Sequence, residues 1–230
     1  MRSIMRLLLP LLLAAVLTCC AHQGEEKNEN SSEKIKLPEP SKDGKKSLER
    51  TLSERRSIRD YSNDNLTIKE LSQLLWSAQG ITDPRGFRTA PSAGALYPLE
   101  IFVVAGRVDG LEPGIYRYYP SRHEIIRVVE GDRREELSKA AVGQACVKNA
   151  AINIVITAVY ERTTAKYGER GIRYVHFEVG HAAQNVLLQA TALDLGAVPV
   201  GAFNDAEVER ILNLSEEDPL YIIAIGRVGK

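Results

Sequence analysis

The sequence is poor in cysteine and has no net charge. It holds three cysteines in 230 residues, and two of them, Cys19 and Cys20, sit side by side near the start. Cys146 is therefore alone in the body of the chain. A lone thiol forms no internal disulfide, and without a C-x-x-C pair or a Cys/His cluster no zinc framework is available. Cys146 stands in an Ala/Val-rich stretch and reads as a small buried hydrophobe. Lys+Arg and Asp+Glu balance at 30 each, with a pI of about 6.9. No global field then recruits nucleic acid or an anionic membrane surface.

Several motifs are also missing. There is no G-x-G-x-x-G and no G-x-x-x-x-G-K-[ST], which removes the Rossmann dinucleotide site and the P-loop. His176 and His181 are five residues apart, about 140° around a helix axis. An H-E-x-x-H zinc pair needs a spacing of four, so no metal site is expected. No nucleophile-elbow sequence supports a Ser/His/Asp triad.

The clearest local signal lies in the first twenty residues. Arg2 and Arg6 give a basic start, and Leu7 to Leu17 an apolar stretch of secretory length. A membrane span needs roughly 20 apolar residues, and polar sequence begins at His22. Residues 1–20 are expected to be a signal peptide. Leu17-Thr18-Cys19-Cys20 resembles a bacterial lipobox, with Cys20 as the expected lipidation site. Cys19 is the other candidate, and an ordinary cleaved signal is the alternative. Residues 21–47 are mostly Glu, Lys, Asn, Ser and Pro. Such a segment buries too little to offset its ordering entropy and is expected to be a disordered linker. The expected location is an exported lipoprotein of the cell envelope, anchored to a membrane by its lipid.

Residues 48–230 have the size for one core. Thr67-Ile68-Lys69-Glu70 predicts a capping box, followed by a helix with Leu71, Leu74, Leu75 and Ala78 on one face and a stop at Gly80. Glu100–Ala105 predicts a strand, and Gly114–Tyr119 with Glu124–Val129 an antiparallel pair. A helix is expected over Arg133–Ala141 and a buried strand over Ile152–Tyr160. The longest element, a helix apolar on most faces, is expected from Arg170 to Leu195, with Gly196 as its stop. Ala197–Ala202 reads as a strand, Asp205–Leu212 as a helix and Leu220–Arg227 as a strand. The mixed order favours an α+β sandwich over a doubly wound sheet.

Four segments carry chemistry. In Arg55-Arg56-Ser57-Ile58-Arg59, three guanidiniums and a hydroxyl fall within five residues, a donor set suited to a phosphate monoester; a solvated charged face is the plain alternative. Ala90-Pro91-Ser92-Ala93-Gly94-Ala95-Leu96-Tyr97-Pro98 forms a loop of small residues bracketed by prolines, whose backbone can approach a flat ring closely. Val198-Pro199-Val200-Gly201 repeats that device. The strand ending at Arg227 delivers one more guanidinium.

In this order and spacing the segments resemble the FMN-dependent nitroreductase family over roughly Glu49 to Lys230. The resemblance is nearest the branch of the SagB-type dehydrogenases, which oxidise thiazolines and oxazolines in peptides. It implies a sandwich with a central, mostly antiparallel sheet flanked by helices, working as a homodimer with FMN at the subunit interface. Arg55, Arg56, Ser57 and Arg59 are then implied to hold the FMN phosphate and ribityl chain, joined by Arg227. Pro91, Ser92, Ala93, Gly94 and Leu96 would lie near the flavin from the other subunit. Val198, Pro199, Val200 and Gly201 would cover its ring. The same branch points to Lys166 and Tyr167 as catalytic. An ammonium beside a phenol favours the phenolate, which can take a proton as hydride leaves. A Tyr packed beneath the long helix, with Lys in solvent, is the alternative.

The implied activity is ping-pong hydride transfer through FMN on a small organic substrate, with NAD(P)H as electron donor. Azoline oxidation on a peptide and a catalytically silent flavin-binding envelope module are the competing readings. Common nitroreductases carry Asn and a Gln-Pro-Trp run where Ala95-Leu96-Tyr97-Pro98 stands here, which argues against inherited nitroaromatic specificity.

Overall fold

Every residue of Ile152–Ala158 is buried, Asn153 and Thr157 included. A strand buried on both faces needs cover on both, and the computed structural model, which describes residues 33–229, provides it. The strands are β1 (Lys34–Lys36), β2 (Leu99–Ala105), β3 (Gly114–Tyr119), β4 (Glu124–Glu130), β5 (Ile152–Ala158), β6 (Leu195–Val200) and β7 (Asp218–Arg227). The helices are α1 (Leu48–Glu54), α2 (Ile68–Gln79), α3 (Arg134–Ala140), α4 (Ala145–Asn149), α5 (Glu161–Tyr167), α6 (Arg170–Ala192) and α7 (Asp205–Leu212). The strands form one seven-stranded sheet in the order β1-β4-β3-β2-β5-β7-β6, with every pair antiparallel. This is the expected α+β sandwich.

Side chains alternate across the pleat, so the sheet divides two cores. Ile101, Val103, Ile154, Ile156, Ile223 and Ile225 face Leu71, Leu74 and Leu75 of α2 and Val175, Val179 and Val186 of α6. Phe102, Val104, Val155, Ile222 and Ala224 face Leu137 of α3, Val147 of α4 and Val208 and Ile211 of α7. The capping box is present: Thr67 Oγ1 accepts from the Glu70 amide, and Glu70 accepts from the Thr67 amide at 2.7 Å.

The expected linker is corrected over residues 33–47. Lys34–Lys36 pairs with β4 in the register Ile35↔Ile125, and Leu37 is 2% exposed. The described fold thus takes in residues 33–47 and does not start at residue 48. One buried leucine, an edge strand and Lys46, bonded to Glu54 and Asp194, supply the interactions that its polar composition concealed. Leu37→Ala should cost about 2–5 kcal/mol in urea unfolding, whereas a free linker residue would cost nothing. The signal peptide, Cys20 and residues 21–32 of the linker lie outside the described residues. Among those described, no helix is long and apolar enough to cross a membrane.

A second correction concerns Gly196. The long helix ends at Ala192, and the chain reverses through Asp194 in the left-handed region (φ 58°). Gly196 lies inside β6. Its lack of a side chain is needed there: a Cβ would sit 2.8 Å from Ile58 Cγ2.

Candidate active site

The arginine segment follows α1, which Ser47 caps through its hydroxyl. From Arg55 the chain runs along the free edge of β6: Ser57 bridges Ala197 in parallel, and the Ile58 amide donates to Ala197 O at 3.0 Å. Gly226, like Gly196, is bare because the segment lies flush on the sheet; a Cβ there would be 2.8 Å from Tyr61 Cγ. The Tyr61 hydroxyl ties the segment down by donating towards Ile58 O and Ala224 O at 2.8 and 3.0 Å. Burial drives the Tyr61 phenol pKa strongly upward, so it stays protonated.

Arg56, Ser57 and Arg59 are exposed and Arg55 is half-buried. None of the three arginines has an ion pair among the described residues. Unpaired guanidiniums beside a hydroxyl fit a phosphate, which accepts several charge-assisted hydrogen bonds at once. Arg227 differs from them. Its Nη2 meets Glu70 Oε2 at 2.9 Å and its Nε donates to Asn65 O at 3.1 Å, so its guanidinium is committed to the start of α2.

The Val198–Gly201 segment lies on the same edge, but its side chains divide. Val198 and Val200 are buried in the core under α7, while Pro199 is half-buried and Gly201 exposed. Pro199 and Gly201 are the two positions of this segment that can meet a flat ring.

The other candidate residues form a second cluster. Between α2 and β2 the loop bends through Gly94 (φ 65°), Ala95 (φ 55°) and Tyr97 (φ 48°). A Cβ on Gly94 would meet Tyr167 Oη at 2.8 Å and Lys166 Nζ at 3.0 Å. The loop and the Lys-Tyr pair, some 70 residues apart in sequence, therefore touch within one chain. Two features hold α5 in place. Arg162 Nη1 reaches Tyr97 O at 3.2 Å and Glu100 Oε1 at 2.7 Å. Gly171 lets α6 pack on Thr163 and Thr164, with its would-be Cβ 2.9 Å from Thr164 Cα. Tyr167 is half-buried, edge-on to Tyr174 with ring centroids 5.2 Å apart, and Lys166 is exposed with Nζ 5.4 Å from the Tyr167 ring. No hydrogen bond joins the two clusters among the described residues.

One residue of the second cluster belongs to no sequence motif. Glu178 of α6 is 2% exposed and lies behind Ser92. Burial pushes its pKa up to about 7, against the opposing pull of Ser92, Arg88 and Gln79. Its position was the available signal: three residues after Val175 and four before Ala182, it falls inside the buried stripe of α6. His176, by contrast, bonds Tyr160 Oη at 2.6 Å.

Comparison with known proteins bears on the family. The family model described as the nitroreductase family matches residues 52–227. A Methanocaldococcus jannaschii protein described as a nitroreductase is 52% identical over 180 residues, covering 78% of this chain and 90% of that protein. The structure of the Escherichia coli microcin synthetase McbBCD complex, with truncated pro-MccB17 bound, superposes with a TM-score of 0.69 and 25% identity. It covers 96% of this chain and 85% of that one, in keeping with the resemblance to the SagB-type branch. The NADPH-flavin oxidoreductase of Vibrio harveyi is 31% identical over 100 residues, 40% of this chain and 42% of its own length. The chain therefore belongs to the nitroreductase family and is an oxidoreductase of a flavin-using kind.

Proposed function

We propose that the chain is an FMN-dependent oxidoreductase that acts on a small organic substrate with NAD(P)H as electron donor. The reading is carried by the unpaired guanidiniums of Arg55, Arg56 and Arg59 beside Ser57, docked on the edge of β6. These residues would hold the FMN phosphate, with Pro199 and Gly201 beneath the ring. FMN held there would supply the hydride chemistry of a ping-pong reaction. Lys166 and Tyr167 would hold and move the proton at the phenol oxygen. The proposal includes a homodimer, as the family resemblance implies, in which the loop of one copy faces the arginines of the other. A tether at Cys20 belongs to the same proposal: export and a lipid anchor would place the enzyme at a membrane surface.

The test is spectral. The chain from Ser32 onward, titrated with FMN, should bind it and show flavin absorption, and anaerobic NADH or NADPH should bleach that absorption. Failure to bind FMN at micromolar concentration would refute the proposal. Tyr167→Phe should leave FMN affinity unchanged while lowering turnover by about 10²- to 10⁴-fold. Equal turnover would return Tyr167 to a packing role.

A second reading, oxidation of azolines in a peptide, draws on the contact of Gly94 with Lys166 and Tyr167 and on the likeness to the microcin synthetase. It predicts FMN binding without bleaching by either nicotinamide, and reduction of the flavin by an azoline peptide.

A further inference from the structure

An ion pair withdrawn from water adds little net stability, yet losing one partner strands the charge of the other. Four such groups run in a line from the start of β7 to α5. Glu217 Oε1 meets Arg117 Nη1 of β3 at 3.0 Å, and Arg117 Nη2 meets Glu100 Oε2 of β2 at 3.2 Å. Glu100 Oε1 then meets Arg162 Nη1 of α5 at 2.7 Å. Without Glu100, Arg117 would still have Glu217. Arg162 would have no carboxylate partner among the described residues.

The helix that carries Arg162 depends on this tie. It has seven residues, well under the roughly 12 that a helix needs to hold by itself. No side chain caps its start, and Thr163 is its one buried residue. Among the described residues, Arg162 is the one side chain of α5 bonded to the bend or to β2, its Nη1 also donating to Tyr97 O at 3.2 Å. Lys166 follows four positions later and so lies on the same face, one turn on. Holding Arg162 on Glu100 thus turns Lys166 towards the bend, where a Cβ on Gly94 would lie 3.0 Å from its Nζ.

We propose that Glu100 is the positioning residue of the second cluster: through Arg162 it sets α5 so that Lys166 and Tyr167 meet the bend at Gly94. What the placement serves rests on the reading of Lys166 and Tyr167 as the reacting pair. The placement itself does not.

Two measurements test it. Hydrogen exchange of the α5 amides, read on the full chain without flavin, reports the placement. Glu100→Gln and Arg162→Ala should each lower protection by about tenfold or more, with no further loss when combined. Arg162→Lys, which keeps the charge, should lose less than Arg162→Ala. Glu217→Gln leaves the pair of Glu100 and Arg162 in place and should keep wild-type protection. Turnover of the FMN-loaded chain, with NADPH as donor and a quinone as acceptor, reports the reaction. Glu100→Gln should lower kcat per bound flavin by about 10- to 100-fold, with KM and FMN affinity within about twofold of wild type.

Wild-type protection in Glu100→Gln, additive losses, or an equal loss in Glu217→Gln would overturn the proposal. So would wild-type turnover in Glu100→Gln when Tyr167→Phe slows the same reaction. If Tyr167→Phe does not slow it, or the wild-type chain does not turn over, the assigned reaction fails and exchange alone decides the placement. If Glu100→Gln does not fold, the two Arg162 variants decide.

Discussion

Arg55→Ala combined with Arg59→Ala should weaken FMN binding by at least about 100-fold, since each hydrogen bond to a charged group contributes roughly 1.5–3 kcal/mol. The same pair of changes should leave the unliganded protein nearly as stable as before, within about 0.5 kcal/mol. Neither guanidinium makes an ion pair in the described structure, and the fastening of their segment comes from backbone bonds to Ala197 and from Tyr61. Arg227→Ala should behave in the opposite way. Its guanidinium is held by Glu70 and Asn65, so its loss frees the Glu70 side chain of the α2 cap and touches FMN binding less. Fluorescence titration of FMN and urea unfolding of the apo chain, run on the same variants, separate the two. Unchanged FMN affinity in the double variant would place the phosphate elsewhere.

Glu178→Gln should make the protein more stable at alkaline pH. A carboxyl ordinarily ionises near 4.5, and burial moves that of Glu178 up to about 7. With its folded pKa raised, its favourable contribution is complete below pH 4.5 and is lost as pH rises through 7. The variant cannot ionise and escapes the loss. Between pH 5 and pH 8.5 its stability relative to wild type should grow by on the order of 2–3 kcal/mol. Carboxylates held low, such as Glu217, whose opposing causes include backbone amides and Arg117, are common to both proteins and cancel in the difference. A constant difference across that range would mean that Glu178 is solvated.

Much of the fold was legible because it is written in local chemistry. Asp205–Leu212 matches its expected bounds, with Asn204 as the cap, and the capping box of α2 is formed by the residues that announced it. What was hidden depends on distant partners. Lys34-Ile35-Lys36 has one apolar residue in a polar stretch, and it becomes a strand because β4, some 90 positions later, offers an edge. Gly196 after an apolar helix has the mark of a stop, yet its requirement comes from Ile58, which no local pattern connects to it. In the candidate site, residue types and order could be read, but not what they touch. The meeting of Gly94 with Tyr167 and the commitment of Arg227 to Glu70 are tertiary facts. Glu178 was concealed differently, as one charge inside an otherwise apolar stripe.

The outer edges of β4 and β6 are both met by chain that precedes residue 60. Lys34–Lys36 covers β4, and Ser57 with Ile58 closes part of β6, where Pro199 has no amide to offer. Open rims invite pairing between molecules. A fragment that begins after Arg59 would expose both at once, and its first failure would be clumping in solution rather than loss of catalysis. The arginine segment is thus also a guard on solubility, and a proteolytic nick just beyond it would do more harm than one in any surface turn.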